Sequence, residues 1–195
     1  MIRNATRALI ATVVLAVITG LVYPLAMTGF AQLAFRGKAN GSLVEANGRP
    51  VGSTLIGQEW KGPMWFYGRP SAISSPYDAS TSSGSNLGPL SKTLAETIKE
   101  RAAAIVETEA PYHPGLTVAR IPVDLLTASG SGLDPDISPE AARFEAPRVA
   151  EARHIPLARV LALVRQHTSS RSLGFLGEPR VNVLELNLAL ANLGG

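Results

Sequence analysis

The sequence predicts an α+β protein, with one N-terminal transmembrane helix followed by a single mixed α/β soluble domain. Two observations predict it. Between Ala8 and Phe35 no side chain is charged, whereas Arg3 and Arg7 precede the run and Arg36 and Lys38 follow it. The remaining chain, about 155 residues and enough for one domain with a real core, carries short apolar runs first and helix-period patterns with recognisable caps later. The boundaries follow: an anchor over residues 1–36, with its span at about 8–34, and a soluble domain over residues 37–195.

About 20 apolar residues cross a ~30 Å hydrocarbon core as a helix, and this run is longer than that. The rival reading is a cleaved secretory signal ending near Gly29-Phe30-Ala31, but the apolar region of such signals is ordinarily ~7–15 residues. Arg3 and Arg7 on one side against Arg36 and Lys38 on the other leave the orientation undecided by charge. Thr12, Ala16 and Gly20 stand four residues apart, the spacing of small residues that lets membrane helices approach closely. They are candidate contacts with a helical partner, although small residues are also common in membrane helices generally. Pro24 lacks an amide hydrogen, so the carbonyl of Gly20 loses its helical partner and a kink is expected.

Charge bookkeeping removes one function class. No acid precedes Glu45, so four of the 18 basic residues belong to the anchor's flanks, leaving 14 basic against 15 acidic residues. A nucleic-acid binder should carry a basic patch or stripe, and the near-neutral soluble part offers none. Cysteine is absent, which excludes disulfides, thiol catalysis and Cys-based zinc sites.

Along the soluble part, Gly37 to Ser42 joins the domain to the anchor. Leu43-Val44, Leu55-Ile56 and Trp65-Phe66-Tyr67 read as short strands or extended loops. Gly68 to Gly88 is rich in Ser, Gly, Pro and Asn, the turn formers, and exceeds the ~12–15 residues of an ordinary connection. Ser91 is a cap for a helix with Leu94, Ile98, Ala102 and Ile105 on one face, ending before Pro111. Val118, Ile121, Val123 and Leu125 suggest a strand that Pro122 demotes to an edge or irregular position. Ser138 with Pro139 opens another helix, which Pro147 should kink or divide. Leu157 to His167 fits a further helix. At the end, Asn182 and Glu185 form a capping-box-like pair, with Val181 and Leu186 as a staple and Gly194 as a closing glycine. We read that segment as a helix, although its alternation also suits a strand.

The chain has no phosphate-cradling G-x-x-x-x-G-K-[ST] loop, no G-x-G-x-x-G and no H-E-x-x-H. Neither G-x-S-x-G nor S-x-x-K is present, so the serines between Ser71 and Ser91 read as loop formers. His113, His154 and His167 read as structural, His167 being placed for the negative end of a helix dipole. Asp134, Asp136 and Glu140 suggest a cation site, but without the glycine and distal glutamate of an EF-hand loop. A turn leading into a capped helix explains them more simply. The alternative of a different class is a membrane-anchored hydrolase using the Ser-rich loop with His113 or His154 as base; a third is a lone anchored binding domain.

Specific strings then carry a resemblance. Gly68-Arg69-Pro70-Ser71-Ala72, Tyr77-Asp78 and Ser83-Gly84-Ser85-Asn86-Leu87 are similar to the signature loop of the C subunit family of the Kdp potassium-transporting ATPase. So are Pro122-Val123-Asp124-Leu125-Leu126-Thr127-Ala128-Ser129, the run from Ser131 to Pro139, Pro147-Arg148-Val149-Ala150 and Val181 to Leu190. The resemblance spans essentially the whole chain. One departure is Ser83-Gly84-Ser85-Asn86, where a pair of glycines before Ser-Asn is common in the family.

The resemblance implies a single-pass, non-catalytic accessory subunit of an ATP-driven potassium uptake complex in the bacterial inner membrane, its C-terminal domain extracytoplasmic. Its implied partners are a potassium-channel-like subunit, a P-type ATPase subunit and a very small subunit, with no nucleic acid. Potassium is the transported ion. No cofactor, metal or catalytic residue is assigned to the chain, and ATP is expected only as part of the complex. The family is needed for assembly and is proposed to raise the ATP affinity of the ATPase subunit as a catalytic chaperone, which an outer domain could do only allosterically. Thr12, Ala16 and Gly20 are the candidate contacts in the membrane. The loop carrying Arg69, Ser85 and Asn86 is the candidate contact with the outer mouth of the channel-like subunit.

Overall fold

The uncharged run folds as one helical rod, Ile2–Ala34, in a computed structural model that describes residues 1–193. Helix α1 (Ile2–Val17) passes through a π-helical turn (Ile18–Val22) into α2 (Tyr23–Ala34). At ~1.5 Å per residue the rod is roughly 50 Å long, ample for a bilayer core. None of its apolar window is buried against protein. The break expected at Gly20 takes the form of the π turn, in which the amide of Tyr23 bonds the carbonyl of Ile18, five residues back. Such a turn absorbs a missing proline amide by re-registering the ladder rather than breaking it. The short helix α3 (Arg36–Ala39) follows, and the side chains of Gln32 and Asn40 exchange hydrogen bonds at 3.1 and 3.3 Å. Met1–Leu43 forms one unit of the chain and Val44–Gly195 the other.

From the last residue of the first unit the chain enters a small sheet of β1 (Leu43–Ala46) and β2 (Arg49–Ser53). Asn47 and Gly48 between them both have positive φ, 54° and 72°, as the two-residue type I′ turn requires. The expected extended run at Leu55-Ile56 is instead a turn, closed by the Ile56 amide on the carbonyl of Ser53. Residues 58–90 contain no helix or strand, so the long loop is found where composition put it.

Helix α4 (Lys92–Glu109) is capped by the Ser91 hydroxyl, which accepts from the Leu94 amide. The strand expected at Val118–Leu125 is not formed. A 3-10 turn (Val118–Arg120) leads through Pro122 into the helical turn α5 (Val123–Leu126). Proline caps that turn with φ −56°, and burial of Ile121, Leu125 and Leu126 with Val118 and Val123 exposed is a helical spacing rather than an alternation.

Strand β3 (Asp136–Ile137) pairs antiparallel with β5 (Arg180–Asn182), which pairs on its other side with β4 (Thr168–Ser169). Val181 is opposite both Ile137 and Thr168. Helix α6 (Pro139–Ala152) is capped by Ser138, whose hydroxyl accepts from the Ala141 amide. It runs undivided through Pro147. The lost amide costs one ladder bond, but Ala146, Arg148 and Val149 beside it are all buried, so packing on several sides holds the turn.

Helix α7 (Leu157–Gln166) ends on His167, and α8 (Val183–Leu193) is capped by Asn182, which accepts from the Glu185 amide. The closing role expected of Gly194 lies outside the described residues. The core gathers on α6. Its face of Ala141, Ala142, Ala146 and Val149 packs in one cluster with Val160 and Val164 of α7, Leu186 and Leu190 of α8, Val181 of β5 and Phe66 of the loop. Alanines at the centre let neighbouring elements approach closely while burying little polar surface.

Candidate functional site

Residues 63–69, a turn followed by a stretch outside helix and strand, have no strand partner, and their polar backbone groups are met by side chains instead. Arg148 Nη1 donates to the carbonyls of Pro63 and Trp65 at 2.7 and 2.9 Å. Asn187 accepts from the amide of Phe66 at 2.9 Å and donates to its carbonyl at 3.0 Å. The Tyr67 amide donates to Glu145 Oε2 at 3.0 Å, and Arg153 Nε donates to the carbonyl of Met64 at 2.8 Å. Buried backbone groups must find partners, and α6 and α8 supply them here in place of a sheet.

At the centre is Arg148, whose side chain is 0 % exposed. Its Nε donates to Glu109 Oε1 at 2.6 Å, its Nη2 donates to Glu145 Oε2, and its guanidinium lies 4.2 Å over the Tyr67 ring. Burial pushes the Glu145 carboxyl up to about 8 against the opposing pull of Arg148. Burial likewise raises Glu109, again opposed by Arg148. None of this was singled out from the sequence. Glu109 and Glu145 continue apolar helix faces, four residues after Ile105 and Ala141, but their charge argues for solvent, and only the spacing of three between Glu145 and Arg148 hints at a pair.

The loop that follows is clasped onto residues 128–134. Arg69 Nη1 meets Asp134 Oδ2 at 3.1 Å, with side chains 27 % and 29 % exposed. Ser71 donates to the carbonyl of Gly132 at 2.8 Å, the Ser129 amide to the carbonyl of Pro70 at 3.0 Å, and the Ser83 amide to the carbonyl of Ser131 at 3.0 Å. Tyr77 closes the loop on itself, its hydroxyl donating to the carbonyl of Arg69 at 2.6 Å. A Cβ on Gly84 would stand 2.9 Å from the carbonyl oxygen of Gly130, so glycine is required where the two strands of chain touch. Gly132, at φ +72°, supplies the left-handed turn opposite.

Of the sequence-predicted contacts, Arg69 is therefore half-buried and engaged with Asp134, while Ser85 and Asn86 stand exposed beyond it on the same loop. Thr12, Ala16 and Gly20 lie on the exposed rod. Thr12 donates to the carbonyl of Ala8 at 2.9 Å, and a Cβ on Gly20 would meet nothing within 4 Å.

The hydroxyls of Ser71, Ser82 and Ser83 donate to backbone carbonyls and that of Ser80 to Asp78. His113 instead stacks on Phe144, its Nε2 2.7 Å from the carbonyl of that residue. The Ser–His arrangement that a hydrolase needs is not found among the described residues. Asp134 is taken by Arg69, and Asp136 pairs with Arg180 at 3.1 Å. Among the described residues no group of three or more His, Cys, Asp or Glu could hold a metal ion.

The clasped loop, the run before it and nearly all of the apolar rod fall inside one family match. The family model described as KdpC, the c chain of K+-transporting ATPase, covers residues 5–192. The chain belongs to the KdpC family. It is 54 % identical to the potassium-transporting ATPase KdpC subunit of Gemmatimonas aurantiaca, over 99 % of this chain and 94 % of that one. It is 52 % identical to the KdpC subunit of Bradyrhizobium diazoefficiens, over 97 % of each. With that of Methylobacterium nodulans it shares 51 %, over the full length of both. The KdpC match takes in the rod and the domain alike, so both belong to the family's own architecture.

Proposed function

We propose that this chain is the non-catalytic accessory subunit of an ATP-driven, high-affinity potassium uptake complex in the bacterial inner membrane. The observation that carries the reading is family membership over residues 5–192 in a chain with one exposed apolar rod, Ile2–Ala34. The rod crosses the membrane once, and the domain lies on the outer side. A potassium-channel-like subunit, a P-type ATPase subunit and a very small subunit are its partners; potassium is carried by the complex. The subunit supports assembly and, as a catalytic chaperone, raises the ATP affinity of the ATPase subunit from across the membrane. ATP enters only through the complex.

The loop serines donate to backbone and to Asp78 rather than to a histidine, which supports a binding role for the loop over a nucleophilic one. The test is co-purification from detergent-solubilised membranes through a tag on this subunit. Recovery of the channel-like and ATPase subunits in fixed proportion is expected; recovery of this chain without them would contradict the reading.

A further inference from the structure

Strands β4 and β5 pair antiparallel, Thr168 opposite Val181 and Ser169 opposite Arg180, and residues 170–179 join them as an exposed hairpin end. Its foot is fixed in the core through Val181, which is fully buried, whereas every residue from 169 to 180 is exposed. At the tip stand Leu173, Phe175 and Leu176, 83 %, 68 % and 50 % exposed. The backbone holds them in one shape. The amides of Ser172 and Leu176 each donate to the other's carbonyl at 2.9 Å, the Gly174 amide donates to the carbonyl of Arg171 at 3.1 Å, and Arg171 pairs with Glu178 at 2.6 Å. Leu173 adopts φ 54°, a left-handed conformation that leucine rarely takes, and Gly174 and Gly177 follow at 82° and 75°. A tip that is apolar, solvent-exposed and strained costs the free chain stability, which is the pattern of a segment kept for contact rather than for the fold.

We infer that this tip is a docking knob for another membrane-embedded subunit of the same potassium-transporting ATPase, which receives it in an uncharged, apolar socket. The inference rests on the accessory-subunit reading and adds to it a surface through which the domain engages its partner. Size, charge and shape select that occupant. Two leucines and a phenylalanine fall well short of the ~800 Å² that each side of a stable interface buries, so the tip cannot capture a partner from free solution. The apolar rod ties the domain to one membrane, and a partner anchored in that membrane is already at high effective concentration, where a small contact suffices. Between Thr168 and Pro179 the only charged residues are Arg171 and Glu178, and they neutralise one another. No surplus cation is offered to an anionic lipid headgroup. The fixed backbone also favours a socket over a fluid bilayer, because preorganised shape strengthens binding only against a surface of complementary shape.

The experiment replaces Phe175 in the tagged full chain with photoreactive p-benzoylphenylalanine, which keeps the aromatic bulk, and irradiates membranes containing the whole complex. A cross-link to one partner subunit is expected. Cross-links only to lipid or to a second copy of this chain, or none at all, would overturn the proposal. In parallel, L173N/F175S removes the apolar tip and gives the left-handed position an asparagine, which tolerates it. Its recovery of partner subunits in detergent should fall about fivefold or more, with thermal unfolding of the purified chain unchanged or shifted upward. Undiminished recovery would overturn the proposal and leave the accessory-subunit reading standing. Failure of the wild-type chain to recover those subunits would overturn the reading itself, and the knob with it.

Discussion

Phe66 and Asn187, 121 positions apart, exchange two hydrogen bonds in a fully buried setting, the amide of Phe66 donating to Asn187 Oδ1 and Asn187 Nδ2 donating back to the Phe66 carbonyl. The asparagine presents one donor and one acceptor to the backbone, as a neighbouring strand would. Replacing Asn187 with leucine keeps the volume and leaves both backbone groups buried and unmet. We expect a loss of roughly 2–5 kcal/mol, read from denaturant unfolding of the purified full chain in detergent. A loss within about 0.5 kcal/mol, the usual surface value, would show that the pairing is not holding the segment.

Arg148 ties two carboxylates and two carbonyls to α6. Arg148→Met leaves the buried Glu109 and Glu145 carboxyls without their partner, and breaking a buried pair of this kind costs roughly 3–5 kcal/mol. Adding Glu109→Gln and Glu145→Gln should recover part of the loss, because neither amide can be left as an unpaired buried charge. Thermal unfolding of the single and triple variants separates the charge from the packing: a triple variant less stable than the single one would refute this account.

Stability should fall as pH rises across the neutral range. Burial raises the folded-state pKa of Glu145 from 4.5 to about 8, so the fold holds a proton that the unfolded chain has released. The stabilisation is complete below the unfolded value and is lost as pH climbs through the folded one, at up to about 1.4 kcal/mol per pH unit. E145Q should flatten the slope between those limits. A wild-type midpoint that is constant or rises over that window would contradict it.

The proposed partner contacts in the rod and in the loop can be tested separately. Replacing Ala16 and Gly20 with leucine thickens the rod where small residues permit close approach, and recovery of the complex in detergent should drop severalfold while the soluble unit unfolds unchanged. Full recovery would remove these positions from the interface.

Ser85 is exposed, so Ser85→Arg should alter domain stability by less than about 0.5 kcal/mol. A decline in complex recovery with that stability retained would place the loop at a partner surface; unchanged recovery would take it away. Arg69 is the poorer probe, since its half-exposed pair with Asp134 contributes about 1 kcal/mol or less to the fold itself and mixes the two effects.

What was legible in the sequence was whatever depends on neighbours along the chain. Ser91, Ser138 and Asn182 cap their helices as their local chemistry demands, and the uncharged run forms a single rod. What depends on distant partners was not. Val118–Leu125 alternates like a strand, yet Pro122 and the burial of Leu125 and Leu126 turn it into a helical turn. Pro147 promised a break that the packing around α6 overrides. The short strands β3, β4 and β5 carry too few residues for a period to show. Arg69 was singled out as an outward contact, but its engagement with Asp134 required knowing that residues 68–88 fold back onto residues 128–134. The Arg148 cluster stayed hidden because charged residues on helices ordinarily face water.

The most direct test of the accessory role is potassium-stimulated ATPase activity of the purified complex with and without this subunit, measured across ATP concentrations while assembly of the remaining chains is followed. Without the subunit the other chains should either separate or need markedly more ATP for half-maximal activity. Unchanged ATP dependence in an intact remaining complex would contradict it.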